Sequence, residues 1–582
     1  MADTGIKREQ KWFLSAMVLA LLFTICSFSA VPQSSRNVVE NAQPAGQVSS
    51  RPNILLIVAD DLGYTDLGVY GSEIDTPNLD ALAREGQMFS QFYSSSMCSP
   101  TRAMLLSGMD NHRAGVGNLY AKLADNQKGQ IGYEGYLRNG VVSLPELLQA
   151  AGYHTYITGK WHLGDSEEHS PAARGFEKSY VLTESGAGHF SNMQSLSGPG
   201  LAIYRENGKK LDSLPADFYS TRFYASKMID YIDQGLDDTK PFFAYLAFTA
   251  VHFPLQAPEA SIEKYNGKYD QGYDVLHAQR FQRLKELGII PADTEASPPL
   301  PAEKPWDQLS EQERKVSAKS MEIYAAMIDD LDRHFGRVID YLKDVDEYDN
   351  TLVFFMSDNG AEGHRLDDGL VPLQEWSHQC CDNSYGNMGR PDSYVMLGPN
   401  WARAAVGPFR MFKGFTTEGG IRVPAFIRYP AVIQGGGIRK EVLTVMDVMP
   451  TLLEFAKVSH PVTEFNGHEV LPLQGRSLVK LLSNRAVSVS DREFSTGWEL
   501  LGKRAYRKGD WKIVWQPEQK KWEPWVDGIK TEQWQLYNLA VDLAEMHDLS
   551  ARYPQKLSEL IALWEQYVQE NGVILPDWIS EY

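Results

Sequence analysis

Cys98 stands in the run Ser-Ser-Ser-Met-Cys-Ser-Pro-Thr-Arg-Ala-Met-Leu-Leu-Ser-Gly, residues 94–108. Small polar residues lead up to it, which predicts a loop. Ser99 offers an N-cap, Pro100 suits the first helical position and Gly108 can close the helix. A cysteine just before a helix start faces backbone N–H groups and the positive end of the helix dipole, and Arg102 adds a fixed cation about one turn on. This is a setting for a nucleophile, or the precursor of one, in an anion pocket. A buried structural cysteine beside a surface arginine is the competing reading.

Two further clusters carry hard oxygen donors. Asp60 and Asp61 follow the apolar run Asn53–Ala59, and Asp358 and Asn359 follow the apolar run Thr351–Met356. Either pair alone would pass for the capping of a strand end. Together they form an oxygen-only set that suits Ca²⁺ or Mg²⁺, with Ca²⁺ preferred, and does not suit zinc. Lys160 and His162 flank Trp161, so on an extended segment they point the same way. Lys413 lies in a glycine-bordered loop. With Arg102 these residues would give a doubly bonded anion several cationic donors. His252, past the apolar run Pro241–Phe248 and before Pro254, is a candidate general acid. His112, His154, His189 and His364 carry no assignment.

The elements that must position these groups are buried strands. Asn53–Ala59, Tyr153–Thr158, Pro241–Phe248 and Thr351–Met356 are short apolar runs of the kind buried on both faces of a mainly parallel sheet. Helical spacing separates them, at Leu79–Glu85, Leu144–Ala151, His277–Leu287 and Lys319–Tyr341. Alternating strands and helices predict an α/β sheet with helices on both faces, which binds ligands outside the carboxyl ends of its strands. The polar clusters Asp60–Gly63, Gly159–His162, Val251–Pro254 and Ser357–Gly360 each directly follow a strand, so residues far apart in sequence can meet on one edge. A further strand is expected at Ala425–Tyr429 and a helix at Asp447–Phe455. From about Arg485 the texture changes to alternating strands and the amphipathic helix Pro554–Glu570, a smaller C-terminal α+β domain (485–582) after a main domain spanning 51–484.

Composition bounds the partners. The 582-residue chain has a formal charge of −19, which argues against binding nucleic acid through its phosphates and requires any anion pocket to be locally cationic. Lys7, Arg8 and Lys11 precede an apolar stretch from Trp12 to about Val31 that closes on small residues. Residues 1–31 read as a secretory signal, with an uncleaved membrane anchor as runner-up, and 32–50 as a flexible linker. The expected location is periplasmic or secreted. The four cysteines supply no disulfide framework, and adjacent Cys380 and Cys381 are expected to be two ordinary thiols.

The run Cys-Ser-Pro-Thr-Arg resembles the sulfatase signature Cys-x-Pro-x-Arg, in which the cysteine is oxidised to formylglycine. Gly152–Leu163, Met356–Gly363 and Phe412–Pro430 carry the same resemblance in the same order, closest to bacterial arylsulfatases, from about Arg51 to the C-terminus. The resemblance implies a large alkaline-phosphatase-like mixed sheet flanked by helices and a four-stranded C-terminal domain. It implies hydrolysis of sulfate monoesters, aryl sulfates foremost, of small molecules or glycans, and a formylglycine-generating enzyme as partner during maturation. It implies that the hydrate made from Cys98 is nucleophile and metal ligand, that Asp60, Asp61, Asp358 and Asn359 hold Ca²⁺, and that Arg102 supports the hydrate. Lys160, His162 and Lys413 would bind sulfate oxygens, and His252 would protonate the leaving group or contact the substrate. Asp358 is a candidate to deprotonate the attacking hydroxyl. A phosphate or phosphonate ester hydrolase of the same superfamily and an inactive sulfoglycan-binding protein are the rival readings.

Overall fold

The computed structural model describes residues 51–196, 198–301, 303–366, 371–483, 494–517 and 531–577. The expected signal or anchor and the linker lie outside these residues. No helix among them is long and apolar enough to cross a membrane.

The apolar runs become the centre of an eleven-stranded mixed sheet. Its strands are β1 (Asn53–Ala59), β2 (Gln87–Tyr93), β3 (His154–Lys160), β4 (Lys178–Leu182), β5 (Tyr204–Glu206), β6 (Lys209–Lys210), β7 (Phe242–Ala247), β8 (Thr351–Ser357), β9 (Arg422–Arg428), β10 (Gly437–Arg439) and β11 (Leu443–Thr444). They lie in the order β10-β2-β9-β8-β1-β7-β3-β4-β5-β6, with β11 also paired to β2. β1 is parallel to β7 and β8, and β3 is parallel to β7 and β4. β9 runs antiparallel to β8 and β2.

Strand pleating sorts β1 between two cores. Leu55 and Ile57 join the core on one face, while Ile54, Leu56 and Val58 join the core on the other. The first core is roofed by helices Ser220–Gly235 and Glu311–Asp344, the second by helices Cys98–Ser107, Leu144–Ala150 and Val448–Phe455. This explains the unbroken apolar runs: neither face of a central strand meets water.

Several elements differ from the sequence-based expectation. The helix Glu311–Asp344 begins well before Lys319, at a capping box in which Ser310 N–H donates to Glu313 and Glu313 N–H donates back to Ser310 Oγ. Its first turns are mostly exposed and charged, so apolar spacing does not reveal them. The nucleophile-loop helix starts at Cys98 itself, with extended Met97 before it and no side-chain cap from Ser99. Thr101 Oγ1 instead accepts from Ser95 N–H at 3.0 Å, fixing the incoming loop. Cys380 and Cys381 are joined as a disulfide rather than being two thiols. The helix Val371–Cys380 ends between them.

The C-terminal part holds a four-stranded antiparallel sheet, Ser495–Leu500, Lys503–Lys508, Trp511–Gln516 and Thr531–Asn538, backed by helix Pro554–Asn571. Buried charge fastens it to the main sheet. Lys512 sits between Glu418 and Glu545, 2.9 Å from each. His112 places Nδ1 2.8 Å from Asp110 and Nε2 3.1 Å from Glu499, and Tyr567 donates to Asp110 at 2.7 Å.

Burial disfavours a charged His112, but Asp110 and Glu499 outweigh it and raise the ring to about 9. The raised value means the contribution is complete below the unfolded value of about 6.5 and is lost as pH rises through 9. It is on the order of 3 kcal/mol. Thermal unfolding between pH 6 and pH 10 should therefore show a steeper loss of stability in the native chain than in His112→Gln. Parallel profiles would contradict this.

Candidate active site

Register brings the polar clusters together. Val58 pairs with Ala247, Ala59 with Ser357 and Gly159 with Ala247, so β1, β3, β7 and β8 end level. Gly159 makes this possible: its φ is +113°, and a Cβ there would stand 1.7 Å from the Ala247 carbonyl oxygen. From these ends the chain delivers Asp60 and Asp61, Lys160 to His162, His252, and Asp358 and Asn359. β2 leads to Cys98, and the antiparallel β9 lets the preceding loop deliver Lys413. Gly414 N–H donates to the Ser96 carbonyl and Lys413 N–H to that of Ala361, tying the loops to one another.

Cys98 Sγ lies 3.3 Å from Asp60 Oδ1 and 3.7 Å from Asp61 Oδ1. Lys160 Nζ donates to both Asp60 oxygens, at 2.9 and 2.7 Å. Lys413 Nζ lies 2.8 Å from Asp61 Oδ2 and 3.2 Å from Glu362 Oε2. Arg102 donates through Nε and Nη2 to Asp358 Oδ2, at 3.1 and 2.7 Å, and through Nη1 to the Lys160 carbonyl at 2.9 Å. Asp358 Oδ1 accepts from Asp61 N–H at 3.2 Å, and Asn359 Nδ2 donates to Asp61 Oδ1 at 2.7 Å. His252 Nδ1 donates to the Phe253 carbonyl at 2.7 Å, which leaves Nε2 facing Asp61 at 3.6 Å. Asp61 and His162 both adopt left-handed backbone, at φ 63° and 56°. Such conformations cost on the order of 1–3 kcal/mol and persist where surrounding contacts over-determine them, as they do at Asp61.

Burial and crowding set the protonation states. Burial raises the Asp60 carboxyl to about 7, with Asp358 and Asp61 pushing the same way against Lys160 and Arg102. Burial, then Lys160 and Arg102, hold His162 well below the usual imidazole range. Burial, then Lys413 and Lys160, do the same to His252. Burial together with Asp358 and Asp60 pushes the Cys98 thiol well above its ordinary value. That direction is the reverse of an activated thiolate.

The pocket could hold a metal ion, and Cys98 and His252 add sulfur and nitrogen to the oxygen donors expected from the sequence. Asp60, Asp61, Cys98 and His252 each present a ligand atom, all within 4.8 Å of one another. Asp358 and Asn359 adjoin them, and Asn359 Oδ1 is buried with no hydrogen-bond partner. Asp60, Asp61, Cys98, Arg102, Lys160, His252, Asp358, Asn359 and Lys413 are thus brought together here, with His162 electrostatically close to Lys160, Arg102, His252 and Lys413. Reading the sequence missed Glu362, which partners Lys413, and Tyr324, whose hydroxyl donates to the Asp61 carbonyl at 3.2 Å. Glu362 stands close behind Asp358 and Asn359 and was findable from that position. Tyr324 is hidden in the apolar face of a long helix.

Comparison with known proteins is consistent along the chain. The family model described as Sulfatase matches residues 52–458, and that described as N-sulphoglucosamine sulphohydrolase, C-terminal, matches 407–570. An uncharacterised sulfatase of Schizosaccharomyces pombe is 44% identical over 548 residues, covering 92% of this chain and 96% of that one. An arylsulfatase of Klebsiella aerogenes is 39% identical over 438 residues, covering 74% of this chain and 91% of that one. The solved structure of Ps i-CgsB in complex with k-i-k-neocarrahexaose covers 91% of this chain and 95% of its own, with a TM-score of 0.63 at 24% identity. With the mixed sheet flanked by helices, these matches give the alkaline-phosphatase-like architecture.

The Arg102–Asp358 pair is fully buried. Arg102→Met strands the Asp358 carboxylate and should cost about 3–5 kcal/mol of stability, whereas Arg102→Met with Asp358→Leu should recover a large part of it. Denaturant titration of the three proteins checks this; a double variant no more stable than Arg102→Met would contradict it.

Proposed function

The chain belongs to the sulfatase family and is a sulfuric ester hydrolase, and from this premise we propose that it cleaves aryl sulfate monoesters at the pocket around residue 98, with Cys98 converted to formylglycine and one Ca²⁺ bound. The observation that supports this most is the position of Cys98 Sγ, within 3.7 Å of both Asp60 and Asp61, carboxylates that the buried Lys160 and Lys413 hold in turn. When present, the formylglycine hydrate would supply a hydroxyl nucleophile and the cation would offset charge on the sulfate oxygens.

The chain's own residues would do the rest. Asp60, Asp61, Asp358 and Asn359 would hold the cation, with residue 98 alongside. Arg102, locked by Asp358 and the Lys160 carbonyl, keeps a fixed positive charge one turn from residue 98. Lys160, Lys413 and His162 would bind sulfate oxygens, the two lysines exchanging part of their contact with carboxylates for contact with substrate. His252 presents Nε2 to the leaving oxygen because Nδ1 is committed to the Phe253 carbonyl. The negative charge of bound sulfate favours a proton at that nitrogen, which His252 would then donate as the S–O bond breaks. Residues 1–31 would direct the chain out of the cytoplasm, to the periplasm or beyond, after a formylglycine-generating enzyme has acted on Cys98.

Steady-state kinetics on 4-nitrophenyl sulfate and its phosphate analogue test the reading. The sulfate should give the higher kcat/KM, and Cys98→Ala should fold and be inactive. A preference for the phosphate would overturn it. Elemental analysis should find one calcium, lost together with activity in Asp358→Ala; stoichiometric zinc without calcium or magnesium would sink the metal assignment. A general acid contributes ~10²–10⁴-fold, most for poor leaving groups. His252→Ala should therefore steepen the negative slope of log kcat/KM against leaving-group pKa. Equal slopes with a uniform loss would reduce His252 to a binding residue.

A further inference from the structure

Beside the imidazole of His252 stands a small apolar cluster separate from the two main cores. It consists of Phe253, Tyr394 and Met396, with Leu196, Trp376 and Cys381 among the residues packed on it. His252 stacks on Phe253 with ring centroids 4.5 Å apart. Phe253 meets Tyr394 edge-on at 6.0 Å, and Tyr394 meets Trp376 at 5.4 Å and 89°. Leu196, Trp376 and Cys381 are only half-buried, so the cluster keeps an open side.

Three distant segments build this wall, and polar bonds knit them. The Tyr394 hydroxyl donates to the Leu196 carbonyl at 2.5 Å. The Gln256 amide donates to Gln194 Oε1 at 2.9 Å and to the Ser393 carbonyl at 2.8 Å. The Gln194 amide reaches Cys381 Sγ at 3.0 Å. These groups are spent on one another and are not held out to a hydroxylated ligand. Gly186 closes the gap between imidazole and wall. A Cβ there would fall 3.0 Å from His252 Cε1 and Nδ1 and 3.3 Å from Leu196 Cδ1.

We propose that this wall is the leaving-group subsite, that it takes a flat aromatic leaving group rather than a sugar ring, and that the Cys380–Cys381 disulfide positions it. The inference rests on the sulfate-ester reading above, in which His252 stands at the leaving oxygen and Phe253 is its neighbour. Cys380 ends the helix that carries Trp376, and Cys381 starts the segment that runs to Tyr394. The disulfide therefore lies on the stretch of chain between Trp376 and Tyr394, the ring that meets Phe253. Cys380 is exposed, so a dithiol can reach it, giving two protein thiols and the oxidised cyclic reagent. Trp376 and Leu196, the half-buried members, offer apolar surface backed by the buried rings of Tyr394 and Phe253, and a polyol there would lose hydrogen bonds to water without replacement.

The test compares 4-nitrophenyl sulfate, 2-naphthyl sulfate and a monosaccharide 6-sulfate, with inorganic sulfate as inhibitor. Trp376→Ala and Leu196→Ala should raise KM for the naphthyl ester about tenfold, with a smaller rise for the nitrophenyl ester and an unmoved Ki for inorganic sulfate. Trp376→Phe should restore most of the loss. Dithiothreitol should raise KM for the naphthyl ester with kcat kept, and Cys380→Ser with Cys381→Ser should show that raised KM without further response to the reagent. Unchanged KM in Trp376→Ala and Leu196→Ala, a loss shared equally with sulfate Ki, or a higher kcat/KM on the monosaccharide sulfate would overturn the subsite. Absence of turnover on every sulfate ester, with no inhibition by inorganic sulfate, would overturn the sulfate reading itself and the subsite with it.

Discussion

Charge balance in a dry pocket is the constraint on which the rest of this molecule depends. Asp60, Asp61, Asp358 and Glu362 are buried together, and Arg102, Lys160 and Lys413 are buried against them. Charges taken out of water are tolerated only when paired with good geometry. With His364 neutral beside Glu362, four carboxylates against three cations leave one negative charge in excess, and burial foremost, with Asp358 and Asp61 adding to it, pushes Asp60 up to about 7. A divalent cation would turn that excess into one positive charge. A sulfate monoester carries one negative charge and would cancel it, whereas a doubly ionised phosphate monoester would leave the pocket negative again. The same bookkeeping accounts for an acidic protein that nonetheless recognises an anion: the overall −19 says nothing about the sign at the site.

The backbone exists to keep that arrangement dry and level. Parallel pairing of β1 with β7 and β8 sets three strand ends side by side, and the left-handed turn at Asp61 is held through its amide by Asp358, through its carbonyl by Tyr324 and through its carboxylate by Asn359 and Lys413. The C-terminal sheet contributes at a distance, through Lys512 and the His112 bridge. The apolar wall beside His252 is a different kind of surface, open on one side and built of aromatic and aliphatic side chains, suited to carbon rather than to ions.

Much of this was legible in the sequence because the relevant signals are local. Buried parallel strands are continuous apolar runs, and the polar residues that follow them are forced to the strand ends, so Asp60, Asp61, Lys160, His252 and Asp358 could be placed on one edge without coordinates. Lys413 was reached through its glycine-bordered loop, although only the antiparallel course of β9 explains its arrival. Strand β2 escaped notice because Gln87, Ser90 and Gln91 interrupt its apolar pattern. The disulfide between Cys380 and Cys381 depends on where a helix stops, which spacing alone does not encode. Glu362 could have been reached from its place just behind Asp358 and Asn359, whereas Tyr324 and its partner Asp61 are hundreds of positions apart. No sequence pattern marks the contact between them.

The central claim is that the buried thiol of Cys98 is not the working form of that residue. Mass spectrometry of the peptide containing residue 98, taken from protein whose turnover of an aryl sulfate has been measured in the same sample, tests it directly. The account predicts that residue 98 carries an aldehyde in proportion to the specific activity. Fully active protein with an unmodified thiol at Cys98 would contradict it.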